Sequence, residues 1–186
     1  MTLNFKTTVV LLLIVAGGYY AYSLYFPGVD TGDVAKLLRS HRRAEPGAQT
    51  VLKHRIMTTY DSKRDYAIIF RALDSPSPAT QALAVEILTE KVERRALPKL
   101  LEMLNDPTRA EFVLETVAAA MGTLDVREAV PRLVELTDTS EPPAVRSAAH
   151  NALVRMTGAG AQVKFGPNSR EQWTLWLRTQ QSGGTR

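Results

Sequence analysis

The sequence predicts an all-α protein, a solenoid of about three helix pairs plus caps that is preceded by one transmembrane helix. The first observation is a repeat, because the nine residues from Ala96 (ALPKLLEML) return 33 positions later from Ala129 as AVPRLVELT. Each copy is followed by a turn and an alanine-rich stretch, which is the pattern of stacked helix pairs. The second observation is residues 7–26 (TTVVLLLIVAGGYYAYSLYF), which carry no charge. A helix of that length spans about 30 Å, the thickness of a hydrocarbon core.

Composition limits the class of protein. The chain has 186 residues, of which 45% are hydrophobic and 7% aromatic, and this suits helices packed through alanine and leucine. It contains no cysteine, so disulfides and thiolate metal sites are excluded. Charge is distributed in blocks: residues 30–73 have a net charge of +4, residues 74–141 of −6 and residues 142–186 of +5. An acidic centre between basic flanks argues against a nucleic-acid partner.

The uncharged segment is bounded as a membrane anchor would be. Lys6 precedes it, four tyrosines and Phe26 cluster at its far end, and Pro27-Gly28 then interrupts any helix. The alternative is a cleaved signal peptide with Ala16-Gly17-Gly18 as the cleavage site. The apolar run continues past Gly18, and this favours the anchor.

Two charge patterns give opposite orientations for the anchor. The bases between Lys36 and Arg43 favour a cytoplasmic domain, whereas Lys6 beside the anchor favours export. We expect a single-pass membrane protein whose repeat domain lies outside the cytoplasm. The alternative is a secreted or periplasmic protein released by signal cleavage.

The chain divides into five expected regions. Two membrane-proximal helices, Asp33–Arg43 and Gln49–Tyr60, form either a degenerate repeat or a cap, and Ala44 to Gly47 ends the first of them. Their basic residues and histidines form either a solvated face or a contact with anionic head groups. The five regions are an anchor over 1–29, membrane-proximal helices over 30–63, repeats over 64–158, a capping helix over 159–180 and a flexible tail over 181–186.

The repeats are placed by apolar stripes at positions i, i+3, i+4 and i+7, such as the leucines from Leu97 to Leu104. Pro98 and Pro131 suit the first turn of a helix, and Gly122 is expected to close the helix that begins at Glu111. Near the carboxyl terminus, Trp173 and Trp176 form the apolar edge of a capping helix. Ser169 and Gln172 have the spacing of a capping box.

Two stretches resemble HEAT repeats. Val145-Arg146-x-x-Ala149-x-x-Ala152-Leu153 is similar to the second helix of such a repeat, and residues 120–133 (AMGTLDVREAVPRL) are similar to a junction between repeats. The resemblance covers about residues 64–158. It implies a right-handed α-solenoid whose second helices line the concave side.

The sequence holds no constellation of catalytic, cofactor-binding or metal-ligating residues. Phosphate loops, nucleophile elbows and zinc signatures are absent. HEAT-like di-iron hydroxylases carry His-Glu dipeptides, but His41, His54 and His150 are not followed by Glu. HEAT-like bilin lyases are similar through the repeat alone. We therefore predict a non-enzymatic protein without cofactors, and keep a small-molecule or bilin lyase-type accessory enzyme as the alternative. The third hypothesis is a nucleic-acid-binding protein, similar to some HEAT-like DNA repair proteins.

Polar residues on the second helices are the candidate partner-binding residues. Acidic pairs one turn apart occupy two of these helices, and polar and basic residues occupy the third. The alternative is that the carboxylates form a solvated outer face. We predict a membrane-anchored scaffold that binds a peptide or protein in the concave groove through Glu86, Glu90, Glu111, Glu115, Ser147, Asn151 and Arg155.

Overall fold

The computed structural model describes residues 34–183, with side chains described up to residue 180. The expected anchor over residues 7–26 lies outside the described residues, as do residues 184–186. None of the helices in the described part is both long and apolar enough to cross a membrane. The chain divides into two compact units between Thr59 and Tyr60. We refer to α1 and α2 as the proximal unit and to the chain from Tyr60 onward as the repeat unit.

The proximal unit is a pair of helices, α1 (Val34–Arg43) and α2 (Pro46–Thr59). The two helices pack against each other. Each buries apolar residues, including Leu37 on α1 and Ile56 on α2. The first helix ends at Arg43, as predicted. The second begins at Pro46, three residues before the predicted start at Gln49, because a proline without an N–H is tolerated in the first turn of a helix.

The repeat unit consists of three helix pairs and a final helix. Within each pair the helices pack together, and the second helices α4, α6 and α8 also pack side by side, with α6 in the middle. The last helix packs against α7. The prediction of an all-α array of helix pairs is confirmed for the described residues. The bounds are α3 Ser62–Ala72, α4 Pro78–Glu90, α5 Leu97–Asn105, α6 Glu111–Thr123, α7 Val130–Glu135, α8 Pro143–Thr157 and α9 Ser169–Gly183.

Helix starts follow the local chemistry of the sequence. Asp61 caps α3, because its Oδ1 accepts hydrogen bonds from the backbone N–H groups of Lys63 and Arg64 at 3.0 Å. Four helices of the repeat unit begin instead with a proline in the first turn, as predicted for Pro98 and Pro131. These helices are α4, α5, α7 and α8.

Gly122 lies inside α6 and does not terminate it, since the helix continues to Thr123. The prediction that Gly122 closes the helix was wrong. A Cβ at this position would lie 2.5 Å from Ala152 Cα and 2.7 Å from Ala152 Cβ. The glycine therefore permits a close approach of α6 to α8, and these helices form the most extensively packed pair among the described elements.

Equivalent turns end the second helices α4 and α6. Val92 and Asp125 lie 33 positions apart and both adopt a positive φ, of 53° and 51°. In each turn the next residue closes a six-residue loop, with Glu93 N–H donating to Leu88 O at 2.8 Å and Val126 N–H to Met121 O at 3.0 Å. This is the hydrogen bonding of a Schellman motif, built here without glycine.

Side-chain bonds between equivalent positions tie successive pairs together. Their partners lie 32 or 33 residues apart, so three of the bonds join one repeat to the next and the fourth joins the last repeat to α9. The bonds are Tyr60 Oη to Glu93 Oε1 at 2.8 Å, Arg95 Nη2 to Ser62 Oγ at 2.9 Å, Arg155 Nη1 to Thr123 Oγ1 at 2.8 Å, and Arg170 Nη1 to Asp138 Oδ2 at 2.9 Å.

The last helix is held by Trp173, whose side chain is fully buried. Its indole N–H donates to His150 Nδ1 on α8 at 3.1 Å. The predicted capping box was wrong: Ser169 Oγ instead accepts from the Gly166 N–H at 2.8 Å, and Gln172 Oε1 accepts from the Lys164 N–H. The helix runs to Gly183, past the expected boundary at residue 180.

Candidate partner-binding groove

A groove of about 340 Å³ lies between the second helices α6 and α8. The groove exists because small side chains on both helices leave space above the contact of Gly122 with Ala152. One wall carries residues of α6 at i, i+4 and i+8, and the other carries residues of α8. The lining consists of Glu115, Ala119, Thr123, Ala144, Ser147, Ala148, Asn151, Ala152 and Arg155.

The two charged residues of the groove are separated along its length. Arg155 donates to Thr123 Oγ1 at 2.8 Å, so it lies at the carboxyl-terminal end of α6. Glu115 lies eight residues before Thr123 on α6, which corresponds to about 12 Å at 1.5 Å per residue. The groove therefore has a carboxylate toward one end and a guanidinium at the other, with alanine, serine and asparagine between them.

Four of the seven predicted binding residues line this one groove: Glu115, Ser147, Asn151 and Arg155. The other three lie elsewhere on the second helices. Glu111 is exposed in the first turn of α6, one turn before Glu115. Glu86 and Glu90 lie on α4, half-buried and exposed respectively, and neither lines the groove.

Sequence reasoning missed five residues of the lining, which are Thr123 and four alanines, and it also missed Phe112 on the same helix. Phe112 is 44% exposed, although an aromatic residue in an apolar stretch is usually assigned to the core. It lies three residues before Glu115 and seven before Ala119, on the exposed side of α6. Thr123 was missed because a threonine at a helix end carries no signal by itself. Its spacing of eight residues from Glu115 could have placed it on the same face.

The sequence profile of the family described as HEAT repeats matches residues 66–154. This range covers the three helix pairs from α3 almost to the end of α8. The chain therefore contains a HEAT-repeat domain. No curated protein matches the sequence. The resemblance deduced from the second-helix pattern and the repeat junction is thus confirmed, and the HEAT-repeat family supports a role in protein interaction.

A polar network stabilises the first edge of the HEAT-repeat domain. Glu93 is 6% exposed and accepts from the Tyr60 hydroxyl at 2.8 Å and from Arg95 Nη2 at 2.8 Å. Burial alone would raise the pKa of Glu93, but hydrogen bonds from Ser62, Arg95 and Tyr60 outweigh it and lower the pKa. Burial and the bond to Glu93 raise the pKa of Tyr60. Arg95 also lies over the Tyr66 ring, 3.9 Å from its centroid.

A second, shallower cavity of about 760 Å³ lies between α9 and the turn before α8. Asp138 lies in it and accepts from the Ser140 backbone N–H, from Arg170 and from the Ser140 hydroxyl. These bonds lower the pKa of Asp138 to about 2. The hydrogen bonds of this carboxylate are therefore made to other groups of the HEAT-repeat domain.

His150 is a packing residue in the described structure. It is 6% exposed and lies edge-on to Trp173 and Phe165, with ring centroids 5.6 and 5.5 Å away. Burial lowers its pKa. The described residues contain no group of three or more His, Cys, Asp or Glu side chains that could hold a metal ion.

Proposed function

We propose that this chain is a membrane-anchored, non-enzymatic scaffold that binds a peptide or protein segment in the groove between α6 and α8. The observation that carries the proposal is the groove itself, in which Glu115 lies about 12 Å along α6 from Thr123, the residue that binds Arg155. HEAT repeats generally support protein interaction, and the groove offers a specific place for it.

The arrangement of charge favours a segment with the complementary order. An extended peptide covers about 12 Å in roughly four residues, so a basic side chain opposite Glu115 and an acidic one opposite Arg155 would be three or four positions apart. Alanines on both walls let a peptide backbone approach closely. Charge complementarity of this kind selects partners and fixes their register.

Phe112 adds an apolar contact beside the acidic end. It is 44% exposed and lies next to Glu111, which is exposed as well. Aromatic residues, phenylalanine included, are enriched in protein interfaces, so an exposed one on this helix is a candidate contact. The partner segment is therefore expected to carry an apolar residue near its basic one.

The membrane part of the proposal is supported by the sequence of residues 7–26, which lie outside the described structure. Tethering both partners to one surface would raise their effective concentration, so a groove of modest affinity suffices. We place the HEAT-repeat domain outside the cytoplasm, as the charge beside the anchor suggests. Protease added to intact cells or spheroplasts tests this: digestion of the domain supports export, and protection refutes it.

Photocrosslinking in cells tests the groove. A crosslinking amino acid at Ala119, inside the groove, is expected to capture a discrete protein. Glu115→Lys and Arg155→Glu should each reduce that capture, by roughly tenfold if one close charge pair is lost.

Glu128→Lys is the matched control for Glu115→Lys, because it makes the same change of charge at an exposed site outside the groove. Equal capture by the Glu115→Lys variant and the wild type would refute the groove as the binding site. Failure to capture protein, together with a chromophore that copurifies with the chain, would favour the accessory-enzyme alternative.

A further inference from the structure

The first helix of the proximal unit has two distinct faces. Val34, Leu37 and His41 are buried, with exposures of 1%, 0% and 6%. Arg39 and Arg43 are exposed on the opposite side, one turn apart, and Arg42 is exposed beside them. The helix is therefore fixed by one face and presents a row of guanidinium groups on the other. We call Arg39, Arg42 and Arg43 the basic face.

Little negative charge opposes this face. Residues 34–60 contain six Lys or Arg residues and a single acidic residue, Glu45. Within the described residues, the three arginines of the basic face form no ion pair. Arginines of the repeat unit differ, because several of them pair with carboxylates at 2.8 to 2.9 Å: Arg95, Arg109, Arg132 and Arg170.

We propose that the basic face binds the anionic phosphates of the lipid surface in which the chain is anchored. The proposal rests on the proposed membrane anchor, since only seven residues, 27–33, separate the uncharged segment from α1. Seven residues span at most about 25 Å, so a chain anchored through residues 7–26 holds α1 close to the head groups. A guanidinium group matches the geometry of a phosphate with two parallel hydrogen bonds.

A lipid surface fits these observations better than a nucleic acid does. Both are polyanions, but residues 74–141 of the same chain have a net charge of −6, which weakens the overall attraction of the protein for a nucleic acid. A head-group layer needs only one local row of cations close to the anchor. Each such cation raises the ratio of bound to unbound states by about fivefold, so three together contribute roughly a hundredfold.

The absence of cysteine allows a direct test on the full chain. Ser40→Cys places a single fluorescent label on α1 of the protein reconstituted in vesicles that contain head-group-quencher lipids. We expect stronger quenching in vesicles with phosphatidylglycerol than in vesicles of phosphatidylcholine alone. The difference should disappear in the variant Arg39→Gln, Arg42→Gln, Arg43→Gln, and should weaken in 1 M salt because the screening length falls to about 3 Å.

The matched control removes three cations that are exposed on the repeat unit, with Lys63→Gln, Lys91→Gln and Arg94→Gln. This control should keep the dependence on phosphatidylglycerol. Equal quenching in both vesicle types overturns the proposal, as does loss of the dependence in the control. If excess duplex DNA abolishes the quenching and remains bound to the chain, the basic face is a nucleic-acid contact. Protein that washes off neutral vesicles refutes the anchor instead, so the two failures are distinguishable.

Discussion

The substitution Gly122→Ala tests the closest helix contact of the repeat unit. The new Cβ would lie 2.5 Å from Ala152 Cα and 2.7 Å from Ala152 Cβ, about 1 Å closer than ordinary carbon contacts. Because the nearer atom belongs to the backbone of α8, a side-chain rotation cannot relieve the overlap. The helices must separate, and overpacking of this kind costs about 1–3 kcal/mol or more.

A gain in helix propensity partly offsets this cost. Alanine is about 1 kcal/mol more favourable than glycine inside a helix, and Gly122 lies inside α6. We place the clash at about 3 kcal/mol, since it involves backbone, and expect a net loss of about 2 kcal/mol. For a unit of this size that loss lowers the melting temperature by roughly 5–10 °C.

Circular dichroism of the full chain in mild detergent measures this loss through thermal and urea unfolding. Gly47→Ala is the matched control, because Gly47 lies within α2 and a Cβ added there would have no neighbouring atom within 4 Å. The control should leave stability unchanged or raise it. Adding Ala152→Gly should rescue Gly122→Ala only in part, since Ala152 Cα remains in place. A Gly122→Ala protein as stable as the wild type would show that α6 and α8 do not approach this closely.

Three further predictions concern single side chains of the repeat unit. Burial lowers the pKa of His150, so the neutral side chain contributes its full stabilisation above about pH 6.5. That contribution is lost as the pH falls through and below this value. The variant His150→Asn should remove this pH dependence of the free energy of unfolding, measured by urea titrations between about pH 5.5 and 7. Val92→Gly should raise the free energy of unfolding by about 1 kcal/mol, because it relieves a positive φ at a β-branched residue that is 58% exposed; an unchanged urea midpoint would contradict this. Tyr60→Phe removes a donor from the buried Glu93 carboxylate and should cost about 1.5 kcal/mol, whereas no loss would show that Arg95 alone satisfies it.

Periodicity predicted the helix pairs because each buried stripe is a local property of the sequence. The leucines of α5 and the prolines at its start and at the start of α7 were sufficient to place both helices. Gly122 could not be interpreted in the same way. A glycine near the end of an apolar stretch resembles a helix cap, and only the approach of Ala152, thirty residues later, gives it a different role.

The candidate site was predicted in part for a related reason. Residues on equivalent second helices lie about 32 positions apart, so choosing polar residues on each helix also selected the two walls of one groove. Glu115 and Arg155 were found in this way. Phe112 was not, because a rule that sends aromatic residues to the core has no means of recognising one that the packing leaves exposed. The anchor over residues 7–26 stays a prediction, since it lies outside the described residues.

The repeat register also suggests how specificity arises on this scaffold. Leu88, Met121 and Leu153 occupy equivalent positions on α4, α6 and α8, and all three are buried and apolar. Two residues further along, the equivalent positions hold Glu90, Thr123 and Arg155, which change from negative through neutral to positive. Helix packing constrains the first set and leaves the second free to vary. With axes about 8–10 Å apart, this charge series extends roughly 20 Å across the helices, the length of about six extended residues. A partner lying across the helices would therefore contact a negative, a neutral and a positive position, one on each repeat. The charge reversals at Glu115 and Arg155 distinguish this mode from binding along the α6–α8 groove, because Glu115 lies outside the series.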